Sequence, residues 1–238
     1  EILLIDNRSS NPETKEFLDE VSSAHHHIRV IEADFPFNFS KIINCGVSNV
    51  NSEFIVLLNN DIEILSEGWL TTLMSLCNND EVGCIGPRLL YEDQTIQHTG
   101  IVIPKEEPLY VFNHYPADFN LLSQNIMEYS AITGACIAMK TSVFEEVHGM
   151  DEDLPVTLND VDFCLKLRQK GYKIFVDPRI QMIHHKSVSR GNHDAAENIE
   201  RTRNERKHFK NKWKNVLKEG DPFYPSNCSH KYPDYRLN

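Results

Sequence analysis

Residues Leu57 to Leu65 read LLNNDIEIL. The apolar lead-in from Ile55 to Leu58 has the character of a buried strand, and it stops at Asn59-Asn60-Asp61. A buried strand that delivers polar side chains at its carboxyl end marks the place where open α/β sheets bind ligands. One carboxylate, Asp61, flanked by amide side chains suits a hard divalent cation that keeps part of its water and takes phosphate oxygens. The same triplet also has the composition of a plain turn, and at this level both readings stand.

Other positions offer chemistry that fits such a site. Asp6-Asn7 closes the apolar run Ile2 to Ile5. A carboxylate there can accept from the imide N–H of a pyrimidine base or from a ribose hydroxyl. A turn followed by a helix cap explains DNRSSNPET equally well. Asp160 and Asp162 fall at the start of a helical pattern, with Asn159 as a candidate cap. Acidic residues in a first turn interact with the helix dipole, and Asp160 has in addition the chemistry of a general base. Asp162 points elsewhere on the helix. His184-His185 ends an apolar run, and a neutral imidazole at a strand end can join a carboxylate in holding a metal. Lys186, Ser187 and Arg190 follow it and suit a diphosphate, Arg190 through its paired N–H donors. His25-His26-His27 has no carboxylate close in sequence and reads as a surface loop.

The elements that must position these groups alternate in type. Ile2–Ile5, Ile28–Ile31, Phe54–Leu58 and Val82–Ile85 read as strands. Between them Pro12–Val21 (opened by Asn11), Ser40–Val50 and Gly68–Cys77 have helical spacing. Such alternation predicts a parallel sheet wrapped by helices. A hairpin is expected between Arg88 and Ile103, turning at Tyr91-Glu92-Asp93-Gln94, and a loop over Lys105 to Asn125. Ala131–Met139 is a further strand-like run with a Gly134-Ala135 step, followed by a short helix near Ser142–Val147. The helix opened by Asn159-Asp160 is closed by Gly171, and Tyr172–Val176 and Ile180–Ile183 are the last two strands. Glu197 to Lys218 forms a basic helix. It suits an anionic membrane surface or a partner domain, while Glu197, Glu200 and Glu205 also support a solvated helix with internal ion pairs.

The 238 residues are 40% hydrophobic and 25% charged, enough for one substantial core. A net charge of −11 argues against nucleic acid as the main partner. No apolar run is long enough to span a bilayer. The six cysteines have no CxxC spacing and read as small core residues in a reducing compartment. The chain opens on EILLID, directly in a strand-like run, and reads as a piece of something longer.

Taken in order, these segments resemble the family-2 glycosyltransferases of GT-A fold. The stretches that carry the likeness are EILLIDNRSS, FNFSKIINCGV, FIVLLNNDIEIL, VGCIGPRLLYEDQTIQHTGI, AITGACIAMKTSVFEEVHGMDE, NDVDFCLKLRQKGYKIFVDP and IQMIHHKSVSRG, spanning about residues 1 to 192. The resemblance implies an α/β fold with a mostly parallel central sheet flanked by helices and a small second sheet. Residues 1–192 would form a GT-A domain lacking its usual first strand, with residues 193–238 as a basic helix and tail packed on it or extending from it. It is closest in character to bacterial enzymes of O-antigen, capsule or other cell-surface glycans, whose domains often sit within multidomain proteins.

Residue by residue, the resemblance gives Asp6 and Asn7 a role in holding the nucleotide and makes Asp160 the catalytic base. Asn59, Asn60 and Asp61 stand at the Asp-x-Asp position, with Asp61 the ligand of Mn²⁺ or Mg²⁺ and His184 joining it. Arg190 falls to the diphosphate, and Gly134, Ala135 and Asn159 to the acceptor side. The implied reaction is an inverting transfer of a hexosyl or deoxyhexosyl group from a UDP- or dTDP-linked donor to a glycan or glycolipid acceptor, in the cytoplasm or at the inner face of the membrane. Asn59 replaces the first Asp of the metal motif and Asn159 the Glu before the base. Those replacements and the missing strand favour a rival: a catalytically inactive relative acting as a binding or scaffold domain. A sugar-phosphate nucleotidyltransferase would need a Gly-rich phosphate loop and a following basic signature, and neither is present.

Overall fold

The computed structural model describes residues 1–105, 107–119, 124–185 and 196–238. The chain begins with a unit in which β1 (Ile2–Asp6) leads through α1 (Pro12–Ala24) to β2 (Ile28–Glu32). β1 and β2 pair in parallel, Ile2 opposite Ile28, as a two-stranded sheet of their own. Asn11 caps α1 by accepting from the Glu13 N–H at 2.9 Å, with Pro12 where its missing donor costs nothing. Asn38 caps α2 (Phe39–Val47) in the same way, accepting from Lys41 N–H at 3.0 Å.

The remaining strands build the central sheet. In chain order they are β3 (Phe54–Leu58), β4 (Ile62–Ile64), β5 (Val82–Leu90) and β6 (Ile96–His98), with α3 (Trp69–Cys77) between β4 and β5. β7 (Ile101–Val102) and β8 (Leu109–Tyr110) form a small separate pair. β9 (Met127–Glu128) and β10 (Cys136–Lys140) precede α4 (Thr141–Glu146) and α5 (Asn159–Gln169). β11 (Lys173–His184), α6 (Ala196–Lys212) and α7 (Lys214–Glu219) complete the described elements. The sheet order is β3-β10-β5-β11-β4, with β6 on β5 and β9 on β11. β5 and β11 are parallel; β10 runs antiparallel to both β3 and β5, and β4 antiparallel to β11. The α/β architecture expected from the sequence is present, but the central sheet is mixed instead of mostly parallel: β5 and β11 pair in parallel, while β10, β4, β6 and β9 pair antiparallel with their neighbours.

The period of two along the strands divides the core between the two faces of the sheet. Ile85, Leu89, Ala138, Ile180 and Met182 pack with Leu73 and Cys77 of α3. Cys84, Leu90, Ile137, Met139, Ile174 and Val176 face the other way, toward Val161, Phe163 and Leu165 on and around α5. Five of the six cysteines are buried and all are free thiols.

Three local expectations change. The two final strands are one, β11, because the ladder with β5 continues past a register shift between Asp177 and Gln181. The shift surrounds Pro178, and the buried Asp177 carboxylate accepts from the Arg179 N–H at 3.0 Å, holding the irregular turn of backbone in place. The cap of α5 is Leu158, in the left-handed region at φ 65, and Asn159 is already helical. The carboxyl-terminal helix is two helices, broken at Trp213 (φ −102, ψ 14), whose indole is drawn into the core.

That break matters for α5. Trp213 Nε1–H donates to Asp162 Oδ1 at 2.8 Å, and Lys212 Nζ reaches the same fully buried carboxylate at 2.8 Å. Phe209, Trp213 and Leu217 join the cluster that contains Val161 and Phe163. The basic helix therefore engages much of its charge with the body of the protein. Arg206 and Lys210 pair with Glu107 at 2.8 and 3.0 Å, and His208 and Lys212 with Asp151 at 3.1 and 2.6 Å. Burial pushes the Asp151 carboxyl up, but hydrogen bonds from Lys212 and His208 outweigh it and hold the group at about 2, below the usual 3.8. A lowered carboxylate contributes stability above its unfolded value that is lost as pH falls through the folded one. The pH-dependent part of the stability that wild type gains over Asp151→Asn should thus be about 1 kcal/mol after solvent screening and constant above about pH 5. Between about pH 4 and about pH 2 it should shrink, which urea unfolding across that range will measure.

Candidate active site

The antiparallel ladder of β4 and β11 places His184 opposite Ile62, one residue from Asp61. The register is reinforced by the His185 N–H donating to the Asp61 carbonyl at 2.9 Å. As a result His184 Nε2 lies 3.2 Å from Asp61 Oδ1, with both side chains largely buried. Asp61 Oδ1 is buried and makes no hydrogen bond. The neighbouring His185 turns outward, its ring held between Glu92 at 2.9 Å and Glu63 at 3.1 Å, and Glu92 and Glu63 raise its pKa. Of the two histidines, only His184 directs its ring to Asp61.

Asp160 reaches the same rim of the sheet through backbone bonds. Its Oδ2 accepts from the Gly134 N–H at 3.0 Å and its Oδ1 from the Val161 N–H at 2.8 Å. A Cβ on Gly134 would stand 3.4 Å from Asp160 Cβ, an ordinary van der Waals contact, so loop and carboxylate lie close together. Next along, the Ala135 carbonyl accepts from the Asn59 N–H at 2.9 Å where β10 pairs with β3. Hydrogen bonds thus run from Asp160 through Gly134 and Ala135 to Asn59, and the chain continues through the exposed Asn60 to Asp61. Asn159, buried, accepts from the Asp160 N–H at 2.8 Å, and its Nδ2 makes no hydrogen bond.

The loop before Asp160 is held from both sides. Asn38, Ser40 and Asn44 of the α2 region bond the backbone of residues 150–154, Ser40 Oγ donating to the Leu154 carbonyl at 2.7 Å. From α6 the buried Glu205 accepts from the Val156 N–H at 3.3 Å and also from Thr157 N–H. Sequence reasoning gave Glu205 to an exposed ion pair. Arg201 does lie 3.2 Å away at i−4, but the carboxylate faces inward.

Asp6 and Asn7 sit apart from this rim, at the ends of β1 and β2. A cavity of about 380 Å³ there is lined by Asp6, Arg8, Lys15, Glu32 and Asp34, among others. Hydrogen bonds from the Ser9 hydroxyl and N–H hold the Asp6 carboxyl below its usual range. Asn7 has a structural duty: its Nδ2 donates to the Ala33 and Phe35 carbonyls at 2.7 and 2.8 Å, tying β1 to the segment after β2. Arg190, with Lys186 and Ser187, lies outside the described residues.

The expected hairpin is present as β5 and β6, but sequence reasoning gave Gln97 and His98 on β6 no role. Gln97 contacts His184 through both ends of its amide. His98, fully buried, accepts at Nε2 from the Thr133 N–H at 3.4 Å, beside Gly134. The only trace in the sequence is a polar pair inside an otherwise apolar hairpin strand. A different grouping, Asp151, Asp153 and His208, has metal-compatible spacing, but Asp151 is already bonded by Lys212 and His208.

The fold is of GT-A type. A family model described as glycosyl transferase family 2 matches residues 1–147. The chain belongs to glycosyl transferase family 2, and is a glycosyltransferase domain. It is 34% identical over 246 residues to protein y4gI of Sinorhizobium fredii, covering 100% of this chain and 27% of that protein. It is 32% identical over 203 residues to the O-antigen biosynthesis protein RfbC of Myxococcus xanthus, covering 80% of this chain and 15% of RfbC. The chain therefore spans a minor part of these relatives' length. Among solved structures it resembles GalNAc-T7 with UDP, GalNAc and Mn²⁺, at TM-score 0.66, 18% identity, 82% of this chain and 40% of that one. It also resembles the mannosyltransferase PcManGT of Pyrobaculum calidifontis with GDP-Man and Mn²⁺, at TM-score 0.57, 15% identity, 81% and 49%.

His98 gives this site a pH signature. Burial lowers its pKa to about 3, with the nearby His184 adding to the effect, so the folded ring is neutral where the unfolded one, at 6.5, takes a proton. The unfolded state then binds more protons below pH 6.5, so stability decreases as pH is lowered through that window. His98→Gln should remove about 1.4 kcal/mol per pH unit of that slope between about pH 6 and about pH 4, read from urea unfolding. An unchanged slope would mean that the ring is charged in the fold.

Proposed function

We propose that the domain is an inverting, cation-dependent glycosyltransferase that uses a nucleotide-diphosphate sugar donor and a glycan or glycolipid acceptor. The observation that carries this reading is the approach of Asp61 Oδ1 and His184 Nε2 to 3.2 Å on the rim that also holds Asp160. Asp61 Oδ1, buried without a hydrogen bond, and an imidazole nitrogen are a donor set that fits Mn²⁺ or Mg²⁺. Asp61 and His184 would hold that ion, and the chemistry it supplies is neutralisation of charge on the departing diphosphate. The Mn²⁺ in both structural neighbours supports the choice of cation, and their UDP and GDP-Man support a nucleotide donor.

The chain's own residues perform the remaining work. The acceptor hydroxyl attacks the anomeric carbon on the face opposite the diphosphate, forming the new C–O bond as the old one breaks. Asp160 takes the hydroxyl proton. Its bonds from the Gly134 and Val161 N–H groups fix the carboxylate's orientation, and each oxygen retains a second lone pair to receive the proton. Gly134, Ala135 and Asn159 line the acceptor side. Asp6, in the cavity after β1, accepts from the base or ribose, with UDP or dTDP as donor nucleotide, and Asn7 shapes that end of the strand. Asn59 and Asn60 add polar groups beside Asp61, and Arg190 pairs with the diphosphate. The names of RfbC and of a low-salt glycan biosynthesis hexosyltransferase of Haloferax volcanii, 23% identical, support hexosyl transfer in cell-surface glycan synthesis. Among the described residues no helix is long and apolar enough to cross a membrane; we place the reaction in the cytoplasm, at the membrane's inner face when the acceptor is a lipid.

Asp160→Asn should reduce transfer by about 10²–10⁴-fold, the usual worth of general-base assistance, while donor affinity stays within a few-fold of wild type. Retention of near-full rate would remove Asp160 from that role. Asp61→Ala should abolish the dependence of donor binding on Mn²⁺, measured by calorimetric titration of the nucleotide sugar with and without the ion. A wild-type domain that binds donor yet neither transfers nor slowly hydrolyses it would instead be a binding module, the reading favoured by Asn59 and Asn159.

A further inference from the structure

β6 presents Gln97 and His98 to opposite sides of the strand, as alternation requires. Gln97 grips a single residue at two points. Its Nε2 donates to the His184 carbonyl at 2.9 Å, and its Oε1 lies 2.6 Å from His184 Nδ1. A backbone carbonyl can only accept, so the first contact sets which end of the amide is nitrogen. The oxygen therefore faces Nδ1, and Nδ1 must be the nitrogen that carries the proton. In the neutral ring this leaves the Nε2 lone pair directed at Asp61 Oδ1, 3.2 Å away. Two electron-rich atoms then face each other, and a cation between them relieves the repulsion.

The alternative state is simple and self-contained. With the proton on Nε2, the ring would donate to Asp61, and the pair would satisfy itself with no place for a cation. Gln97 disfavours that state by requiring a proton on Nδ1. Its own strand is fixed: the Gln97 carbonyl accepts from Asn113 Nδ2 at 2.8 Å, and the same amide reaches the Tyr91 hydroxyl at 3.1 Å. Tyr91 in turn stacks on His114 at 4.6 Å. The clamp is therefore anchored through a hairpin and a loop distant in sequence from His184.

We propose that Gln97 is a positioning residue that selects the Nδ1–H tautomer of His184 and so readies Nε2 for a divalent cation. The inference rests on the reading of Asp61 and His184 as a cation site. Nitrogen NMR of histidine-labelled protein without metal, at mildly alkaline pH, should show His184 protonated on Nδ1 in wild type and on Nε2 in Gln97→Leu. Mn²⁺ affinity, measured by calorimetry, should weaken about 10–100-fold in Gln97→Leu, the usual cost of losing a histidine's outer partner. Gln97→Glu, which can still accept from Nδ1–H although it loses the donor to the His184 carbonyl, should keep the Nδ1–H tautomer and bind Mn²⁺ more tightly than Gln97→Leu. Wild-type His184 protonated on Nε2 would overturn the proposal, as would a folded Gln97→Leu that binds Mn²⁺ as wild type does. If Gln97→Leu fails to fold, the wild-type tautomer and Gln97→Glu still decide. Absence of Mn²⁺ binding in wild type, with the tautomer switching as stated, would remove the cation reading and leave the clamp on the ring standing.

Discussion

Asp61 and His184 stand in an arrangement that has to be imposed from outside. A carboxylate oxygen without a hydrogen bond, buried 3.2 Å from an imidazole nitrogen, is costly unless a proton or a cation is shared between the two. Neither residue's local sequence produces this. The pairing of β4 with β11 brings the two together, the His185 N–H bond to the Asp61 carbonyl fixes the register, and Gln97 on β6 orients the ring. One residue of slip in that ladder would turn His184 to the opposite face of the sheet and dissolve the pair.

Asp160 depends on a second constraint. Leu158, immediately before the helix, adopts φ 65, a conformation that costs a side-chain-bearing residue of order 1–3 kcal/mol. Surrounding contacts hold it there. α2 secures the preceding loop through Asn38, Ser40 and Asn44, and α6 secures it through Glu205. Two residues beyond Asp160, Asp162 is locked to Lys212 and Trp213. The carboxyl-terminal helices, which lie beyond the matched family segment, thus brace the start of the helix that carries Asp160.

Much of this was legible in the chain. The strand–helix alternation announced an α/β core, Asn11 marked the start of α1, and the polar triplet after β3 and the histidines at the end of β11 marked the strand ends that meet at Asp61 and His184. Other features were hidden for identifiable reasons. β4 is three residues long, too short for its alternation to announce a strand, yet it delivers Asp61 to His184. β5 and β11 each run through a proline, which reads locally as a break, while the parallel ladder between them continues past it. Glu205 looked like one charge among many on a polar helix, because its partners are backbone N–H groups some fifty residues earlier, which no local pattern records.

The sequence by itself determined the class of fold and which residue types stand at strand ends, because periodicity, capping and apolar runs are local properties of the chain; the order of its motifs carried the resemblance to the family. Only the tertiary structure decided which of the two adjacent histidines faces Asp61, that Asn7 ties two strands together, and that Gln97 sets the state of the ring. Those outcomes depend on register and on hydrogen bonds between residues as far apart as Asp61 and His185, and register is fixed by the packing of the whole sheet.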